Sequence, residues 1–178
     1  MTVHFSLLPW RGSGGWSPEL AFACGVRRDG QVLSLRYHLA GDLTLLALPE
    51  PVSSPARRDE LWRTTCFEFF LAREGDDSYW EGNVSPAGHW NCYRFSGYRR
   101  DMREEIITPP VISQEREPRN LLLTVELALD SLAPPGTPCC LGLAAVLQCR
   151  TGALSHWALN HPAAQPDFHQ RQGFIVLL

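Results

Sequence analysis

Short runs of alternating apolar and polar residues recur along the chain, and turn-forming residues separate them. Two runs, residues 20–28 and 31–39, flank Asp29-Gly30, a dipeptide typical of a two-residue β-hairpin turn. Further runs cover residues 2–8, 43–48, 65–71, 78–84, 89–95, 106–112, 120–127, 140–149, 154–159 and 173–177. Stretches rich in Gly, Pro or Ser, at residues 11–15, 49–59 and 134–138, predict loops. Because no long 3.6-residue period occurs, the pattern predicts an all-β, antiparallel β-sandwich of jelly-roll or immunoglobulin-like type with long loops.

The three central runs place apolar side chains on one face and polar ones on the other. Successive side chains on a strand point to opposite faces, so Phe67 and Phe69 face away from Glu68. If these strands are neighbours, one face packs inward and the opposite face gathers Glu68, Glu81, Asn83, Asn91 and Tyr93. Such groups donate and accept hydrogen bonds in fixed directions, which suits a hydroxyl-rich ligand, although a polar network that only anchors loops fits equally well.

Composition and charge narrow the possible partners and location. The chain has 178 residues, 44% of them apolar, and no repeat or composition shift, so we expect a single domain over residues 1–178. A formal net charge of −3 argues against nucleic acid or a membrane surface as a partner. The first residues show no basic leader, and no run is long enough to cross a bilayer, so we expect a cytoplasmic protein. The oligomeric state is open.

The six cysteines form no Cys-x-x-Cys pair, so we expect free thiols. Cys66, Cys92 and Cys149 lie among apolar residues, which predicts that all three are small buried side chains.

Two motifs in the centre of the chain resemble known families. Residues 61–71, Leu-Trp-Arg-Thr-Thr-Cys-Phe-Glu-Phe-Phe-Leu, resemble the Glu-x-Phe strand of family-nine carbohydrate-binding modules. Residues 79–88 are similar to the Tyr-x-Glu-x-Asn-x-x-Pro-x-Gly pattern shared by those modules and DOMON domains. The tail, residues 156–174, resembles the closing segment of the same modules.

This resemblance implies a β-sandwich that binds a sugar or a haem without performing chemistry. Family-nine modules hold a terminal sugar between two Trp rings, and by position these would be Trp62 and Trp157, although either ring could belong to the core. Hydroxyl groups of the sugar would be bound by Glu68, Asn83 and Asn91, with Arg63 or Arg99 adding charge-assisted hydrogen bonds.

Three rival hypotheses remain open from the sequence. Haem could be ligated by Met102 and either His156 or His161, in the manner of some DOMON domains. A metal could bind the His-rich tail at His156, His161 and His169 with Asp167, although the spacing matches no compact zinc motif; we therefore expect neither metal nor cofactor. Glu68 and Glu81 could form a glycosidase-like carboxylate pair, but the sequence shows no established catalytic motif, so we expect no enzyme activity.

Overall fold

The structure, a computed structural model, describes residues 1–11 and 19–178. The strands, in chain order, are β1 (Val3–Ser6), β2 (Leu8–Pro9), β3 (Leu20–Asp29), β4 (Val32–Gly41), β5 (Cys66–Arg73), β6 (Tyr79–Val84), β7 (Trp90–Phe95), β8 (Arg103–Glu104), β9 (Val111–Glu117), β10 (Asn120–Ala128), β11 (Cys139–Gln148), β12 (Leu154–Ala158) and β13 (Val176–Leu177). Short 3₁₀ turns lie at Leu43–Leu45, Leu61–Arg63 and Arg171–Gly173.

These strands form two antiparallel sheets. The smaller sheet has the order β1-β3-β4-β10-β9, and the larger sheet has the order β2-β12-β11-β5-β6-β7-β8, with β13 paired to β11. In the larger sheet Glu68 of β5 lies opposite Asn83 of β6, and Asn83 lies opposite Asn91 of β7. The central runs are therefore neighbouring strands, as the sequence predicts.

The two sheets pack face to face around one apolar core. Phe67 of the larger sheet lies 5.3 Å from Tyr37 and 5.9 Å from Phe22 of the smaller sheet, between ring centroids. The Tyr37 hydroxyl crosses the core and donates a 2.8 Å hydrogen bond to the main-chain carbonyl of Glu68. Burial of these apolar faces is the main driving force that joins the sheets. The arrangement of two packed antiparallel sheets confirms the predicted all-β sandwich.

A second apolar cluster lies on the outer face of the larger sheet. It contains Phe70, Tyr79, Phe95 and Phe174, all buried. The segment of residues 159–175 folds back over this face, and a Cβ atom on Gly142 of β11 would come within 2.9 Å of the Phe174 ring. The larger sheet is therefore covered on both faces at its centre, which explains why β5, β6 and β7 are buried almost along their whole length.

Several predicted boundaries need correction. The hairpin turn is Gly30-Gln31, one residue later than predicted, since Asp29 pairs with Val32. The favoured hairpin turns need a positive φ at their first residue, and Gly30 (φ 58°) adopts it more easily than Asp29 would. Residues 43–45 form a 3₁₀ turn rather than a strand, since Asp42 accepts a hydrogen bond from the main-chain N–H of Thr44 and closes the turn. The strand expected at residues 106–112 is β9, Val111–Glu117. The predicted loop at residues 11–15 lies outside the described residues from position 12 onward.

No helix within residues 1–11 and 19–178 is long and apolar enough to cross a membrane.

Candidate functional site

A cavity of about 350 Å³ lies on the outer face of the larger sheet, beneath the folded-back segment. Its lining consists of Trp62, Glu68, Glu81, Phe95, Arg99, Met102, Val146, His156, Pro166, Phe168 and His169. A cavity of about 570 Å³ and another of about 360 Å³ lie against β3 and β4. Within the described part of the chain, the only buried carboxyl oxygen without a hydrogen-bond partner is Glu68 Oε1, and Glu68 lines the 350 Å³ cavity. This cavity is therefore the candidate site.

Two carboxyl groups form the floor of the cavity. Glu68 on β5 is 3% exposed, and Glu81 on β6 is 5% exposed. Glu81 Oε1 accepts a 2.8 Å hydrogen bond from the Asn83 side-chain amide, and Glu81 Oε2 lies 3.6 Å from His169 Nε2. A buried carboxyl group without a partner is costly, so Glu68 marks a position where a ligand group would satisfy it.

The two carboxyl groups differ in their preferred protonation state. Burial raises the pKa of Glu68 well above its ordinary value, the charge of Glu81 raises it further, and Arg99 opposes both effects. Burial also raises the pKa of Glu81, against the hydrogen bond from Asn83 and the charge of Arg99. Since donors point at Glu81 and none at Glu68, the pair keeps its charge on Glu81 and its proton on Glu68.

His169 connects the floor to the segment above it. Its Nδ1 atom lies 2.8 Å from the Tyr79 hydroxyl, which also accepts a 3.2 Å hydrogen bond from the main-chain N–H of Arg99. Burial lowers the pKa of His169 to about 4, so the ring is neutral near pH 7. The Tyr79 hydroxyl therefore donates to Nδ1, which leaves the Nε2 proton directed towards Glu81.

The roof of the cavity is held by Asp167. Its carboxylate accepts hydrogen bonds from the Tyr98 hydroxyl (2.6 Å), the Gln170 amide (2.8 Å) and the Arg99 guanidinium (2.9 Å). Burial opposes ionisation, but these donors outweigh it and hold the pKa of Asp167 down to about 2. Asp167 thus joins the loop of residues 96–102 to the C-terminal segment, and it neutralises Arg99 across a salt bridge.

The structure brings four of the predicted ligand-binding residues together in the cavity: Trp62, Glu68, Glu81 and Arg99. Asn83 lies beneath it, completely buried, where its oxygen accepts from the Cys66 thiol (3.4 Å).

Asn91 and Tyr93 form a separate network beside the cavity. Asn91 Nδ2 donates to the Tyr93 hydroxyl (2.8 Å) and to Glu104 (2.8 Å), and Asn91 Oδ1 accepts from Arg57 (2.8 Å). The Tyr93 hydroxyl donates in turn to Asp59. These groups already satisfy one another, so the loop-anchoring interpretation applies to Asn91 and Tyr93. Arg63 lies at the surface, where it pairs with Glu60 at 2.7 Å.

Trp157 corrects the prediction of two stacking Trp rings. It is 2% exposed, belongs to the core between the sheets, and lies 5.9 Å from Phe22. Its indole N–H donates to Ser155 (2.9 Å). In the sheet register Trp157 lies opposite Ala145, and Ala145 lies opposite the inward-facing Phe67, so Trp157 is on the face opposite Glu68.

Only some of the residues predicted to bind haem or a metal line the cavity. Met102 and His156 both line the cavity, whereas His161 Nε2 donates to the main-chain carbonyl of Leu8 (2.8 Å). Among residues 1–11 and 19–178, no three His, Cys, Asp or Glu side chains are grouped closely enough to hold a metal ion.

Two aromatic residues of the site, Phe95 and Phe168, were missed by the sequence analysis. Phe95 shares the outward face with Tyr93, so the alternation along β7 contained the signal. Phe168 lies in a segment without periodicity, and its 6.4 Å contact with Phe70 depends on how that segment folds back.

No protein-family profile matches the chain, and no curated protein matches its sequence. Solved structures do match. One is a candidate carbohydrate-binding protein from Bacteroides uniformis, with a TM-score of 0.65 and 15% identity over 97% of this chain and 84% of the other. Another is a family-nine carbohydrate-binding module from Caldicellulosiruptor kristjanssonii, solved with cellotriose, with a TM-score of 0.52 and 10% identity over 81% and 67%.

The fold is similar to that of family-nine carbohydrate-binding modules. The module from the same Caldicellulosiruptor species in complex with glucose gives a TM-score of 0.51 and 10% identity, over 81% of this chain and 69% of the other. At these identities the likeness concerns the fold alone. The resemblance to DOMON domains stays a prediction from the sequence.

Proposed function

We propose that this protein is a non-catalytic binding module whose cavity on the larger sheet takes a saccharide. The observation that carries the proposal is the unpartnered carboxyl of Glu68 on the floor of a cavity with aromatic walls. A sugar ring offers apolar C–H faces to aromatic rings and hydroxyl groups to buried polar groups, so it matches both parts of this lining. The fold similarity to modules solved with cellotriose and glucose supports the same class of ligand.

Trp62 is the aromatic platform of the proposed site. It lies in the 3₁₀ turn Leu61–Arg63, is half-buried, and meets Tyr93 edge to face with ring centroids 5.5 Å apart. This contact fixes the ring, while Trp62 still lines the cavity. In the proposed site Phe168, in the roof, is the second aromatic ring that contacts the sugar, a role that the sequence predicted for Trp157.

The placement of the two carboxyl groups favours binding over hydrolysis. Glycosidases use two carboxyl groups that flank the bond to be broken. Glu68 and Glu81 lie on adjacent strands and on the same face of one sheet, so both approach a ligand from below. Glu81 is also engaged by Asn83. We expect no turnover of aryl glycosides.

Haem does not fit this lining well. Met102 and His156 could supply sulfur and nitrogen ligands, but the floor between the walls carries two buried carboxyl groups. A porphyrin needs an extended apolar slot, and its flat face would leave Glu68 without a partner.

Replacement of Trp62 tests the proposal directly. We expect calorimetric titration with glucose, xylose and β-1,4-linked disaccharides to give saturable binding by the native protein. Trp62→Ala should weaken that binding about tenfold, because aromatic contacts add on the order of 1 kcal/mol to the buried area. The matched variant Trp62→Phe keeps a flat ring and should retain most of the affinity.

Thermal unfolding of each variant provides the control, since Trp62 belongs to a short turn at the rim and its loss should leave the fold intact. Equal affinity of the native protein and Trp62→Ala would contradict the assigned platform. Absence of binding to every saccharide in the panel would contradict the proposed function.

A further inference from the structure

The charge distribution in the cavity is one-sided. Glu68 and Glu81 form its floor, and both are at least nine-tenths buried. A neutral hydroxyl could satisfy Glu68, but it would leave the negative charge of the pair without a counter-ion. Buried charges are stable when they are paired with an opposite charge.

The basic groups around the cavity do not supply that counter-ion. Arg99 approaches from the loop of residues 96–102, but its guanidinium pairs with Asp167 at 2.9 Å and its side chain is half exposed. His156 on β12 and His169 in the C-terminal segment are neutral near pH 7, since burial lowers the pKa of each. Among the described residues that line the cavity, no other basic side chain is present.

The walls of the cavity favour a cation as well. Trp62, Phe95 and Phe168 line the same cavity as the floor carboxyl groups. The faces of aromatic rings carry partial negative charge, so they attract a cation held next to them. Aromatic walls combined with a buried carboxylate are a common way in which proteins bind an ammonium group.

We infer that the ligand of this cavity carries a protonated primary amine that binds Glu68, and that the saccharide is therefore an amino sugar. This inference rests on the proposed saccharide function and narrows its ligand class. On binding, the single proton of the pair moves from Glu68 to Glu81, so the one negative charge lies on Glu68 and is neutralised by the ammonium group. Glu81, now protonated, keeps its hydrogen bond from Asn83. The sugar ring lies against Trp62.

A comparison of matched sugars tests the inference. The probes are glucose and galactose, their 2-amino and 6-amino derivatives, and the corresponding N-acetyl derivatives, titrated calorimetrically at pH 6.5. The N-acetyl compounds keep the nitrogen but lose its positive charge. We expect at least one amino hexose to bind tenfold or more tightly than both its parent hexose and its N-acetyl derivative.

Variants of the glutamates locate the effect. Glu68→Gln preserves the size and planarity of the side chain but cannot become negatively charged, so it should abolish the preference for the amine and retain binding of the parent hexose. Glu126→Gln is the matched control, because Glu126 is exposed on β10 of the other sheet. It should leave the preference unchanged.

The outcomes separate this inference from the proposed function. If parent hexoses bind and no amino hexose binds more tightly, the inference is wrong and the saccharide-binding function stands. A preference for the amine that persists in Glu68→Gln would also overturn it. If no sugar of the panel binds, both the function and the inference fail.

Discussion

Single residues at the rim of the cavity adopt costly backbone conformations. Glu60, two positions before Trp62, and Arg99 both have positive φ angles, 57° and 52°. For residues other than glycine this left-handed conformation costs about 1 kcal/mol or more. Such conformations persist where surrounding contacts impose them, and here they flank or carry side chains that line the cavity. Placing Trp62 and Arg99 at the rim therefore lowers the local stability of the backbone.

The sequence predicted some of these residues well and others poorly. Alternation along β5 and β6 was sufficient to place Glu68 and Glu81 on one outward face. The same rule could not place Trp157, because its face depends on the register of β12 against β11. Asn91 was assigned to the correct face, but its partners Arg57 and Glu104 come from distant loop and edge positions that alternation does not reveal.

Gly82 of β6 lies where the inner face of the larger sheet is closely packed. A Cβ atom at this position would overlap the ring of Phe69 on the neighbouring strand. We expect Gly82→Ala to lower the free energy of unfolding by about 1–3 kcal/mol, as other overpacked cores do. Gly25→Ala on β3 is the matched control, since its nearest neighbour would lie at 3.4 Å. Urea unfolding should separate the two variants; similar stabilities would contradict this packing.

Among the elements, the C-terminal segment was the least predictable. The strands follow from periodicity, whereas residues 159–175 carry Pro and His without any period. Their path is set by long-range contacts: Asp167 with Tyr98 and Arg99, and His169 with Tyr79. Sequence reasoning identified a loop with chemically active side chains, but it could not place that loop over the floor carboxyl groups.

The His169 contact predicts how this segment responds to acid. The unfolded chain takes up a proton at His169 below about pH 6.5, whereas the folded protein does so only near pH 4. The contribution of His169 to stability therefore falls as the pH decreases through this window, by on the order of 1–2 kcal/mol between pH 7 and pH 5. Glu68 and Glu81 have raised pKa values, so they oppose this trend.

The comparison of native protein with His169→Asn isolates this contribution, because the other titrating groups are common to both. We expect the variant to lose less stability between pH 7 and pH 5, measured by chemical denaturation at each pH. Parallel pH profiles of the two proteins would show that His169 is not held neutral in the fold.

Across the whole molecule, the pattern of short strands was enough to predict the β-sandwich, since both sheets bury one alternating face in the same core. The pattern did not show that the larger sheet is covered on its second face. Burial of the cysteines was predicted with partial success. Cys66 and Cys92 are fully buried, but Cys149 is only half-buried, because it follows the end of β11.

The thiols therefore should differ in reactivity. Burial raises the pKa of Cys24 and Cys66, and raises that of Cys92 to about 12, whereas hydrogen bonds from Thr151 lower the pKa of Cys149. We expect Cys149 to react first with Ellman's reagent in the folded protein. The four buried thiols should react only after unfolding. Persistence of the fastest phase in Cys149→Ser would contradict this order.

The hydrogen bond from Tyr37 to the Glu68 carbonyl has a kinetic consequence. It ties the main chain below the cavity to the opposite sheet, so the floor cannot shift without disturbing the core. The roof, residues 96–102 and 159–175, is instead held by side-chain hydrogen bonds from Tyr98 and Arg99 to Asp167. Under the proposed function, a ligand would therefore enter and leave by displacement of the roof. Molecules that present the same end to Glu68 but differ at the roof would differ mainly in how long they stay bound.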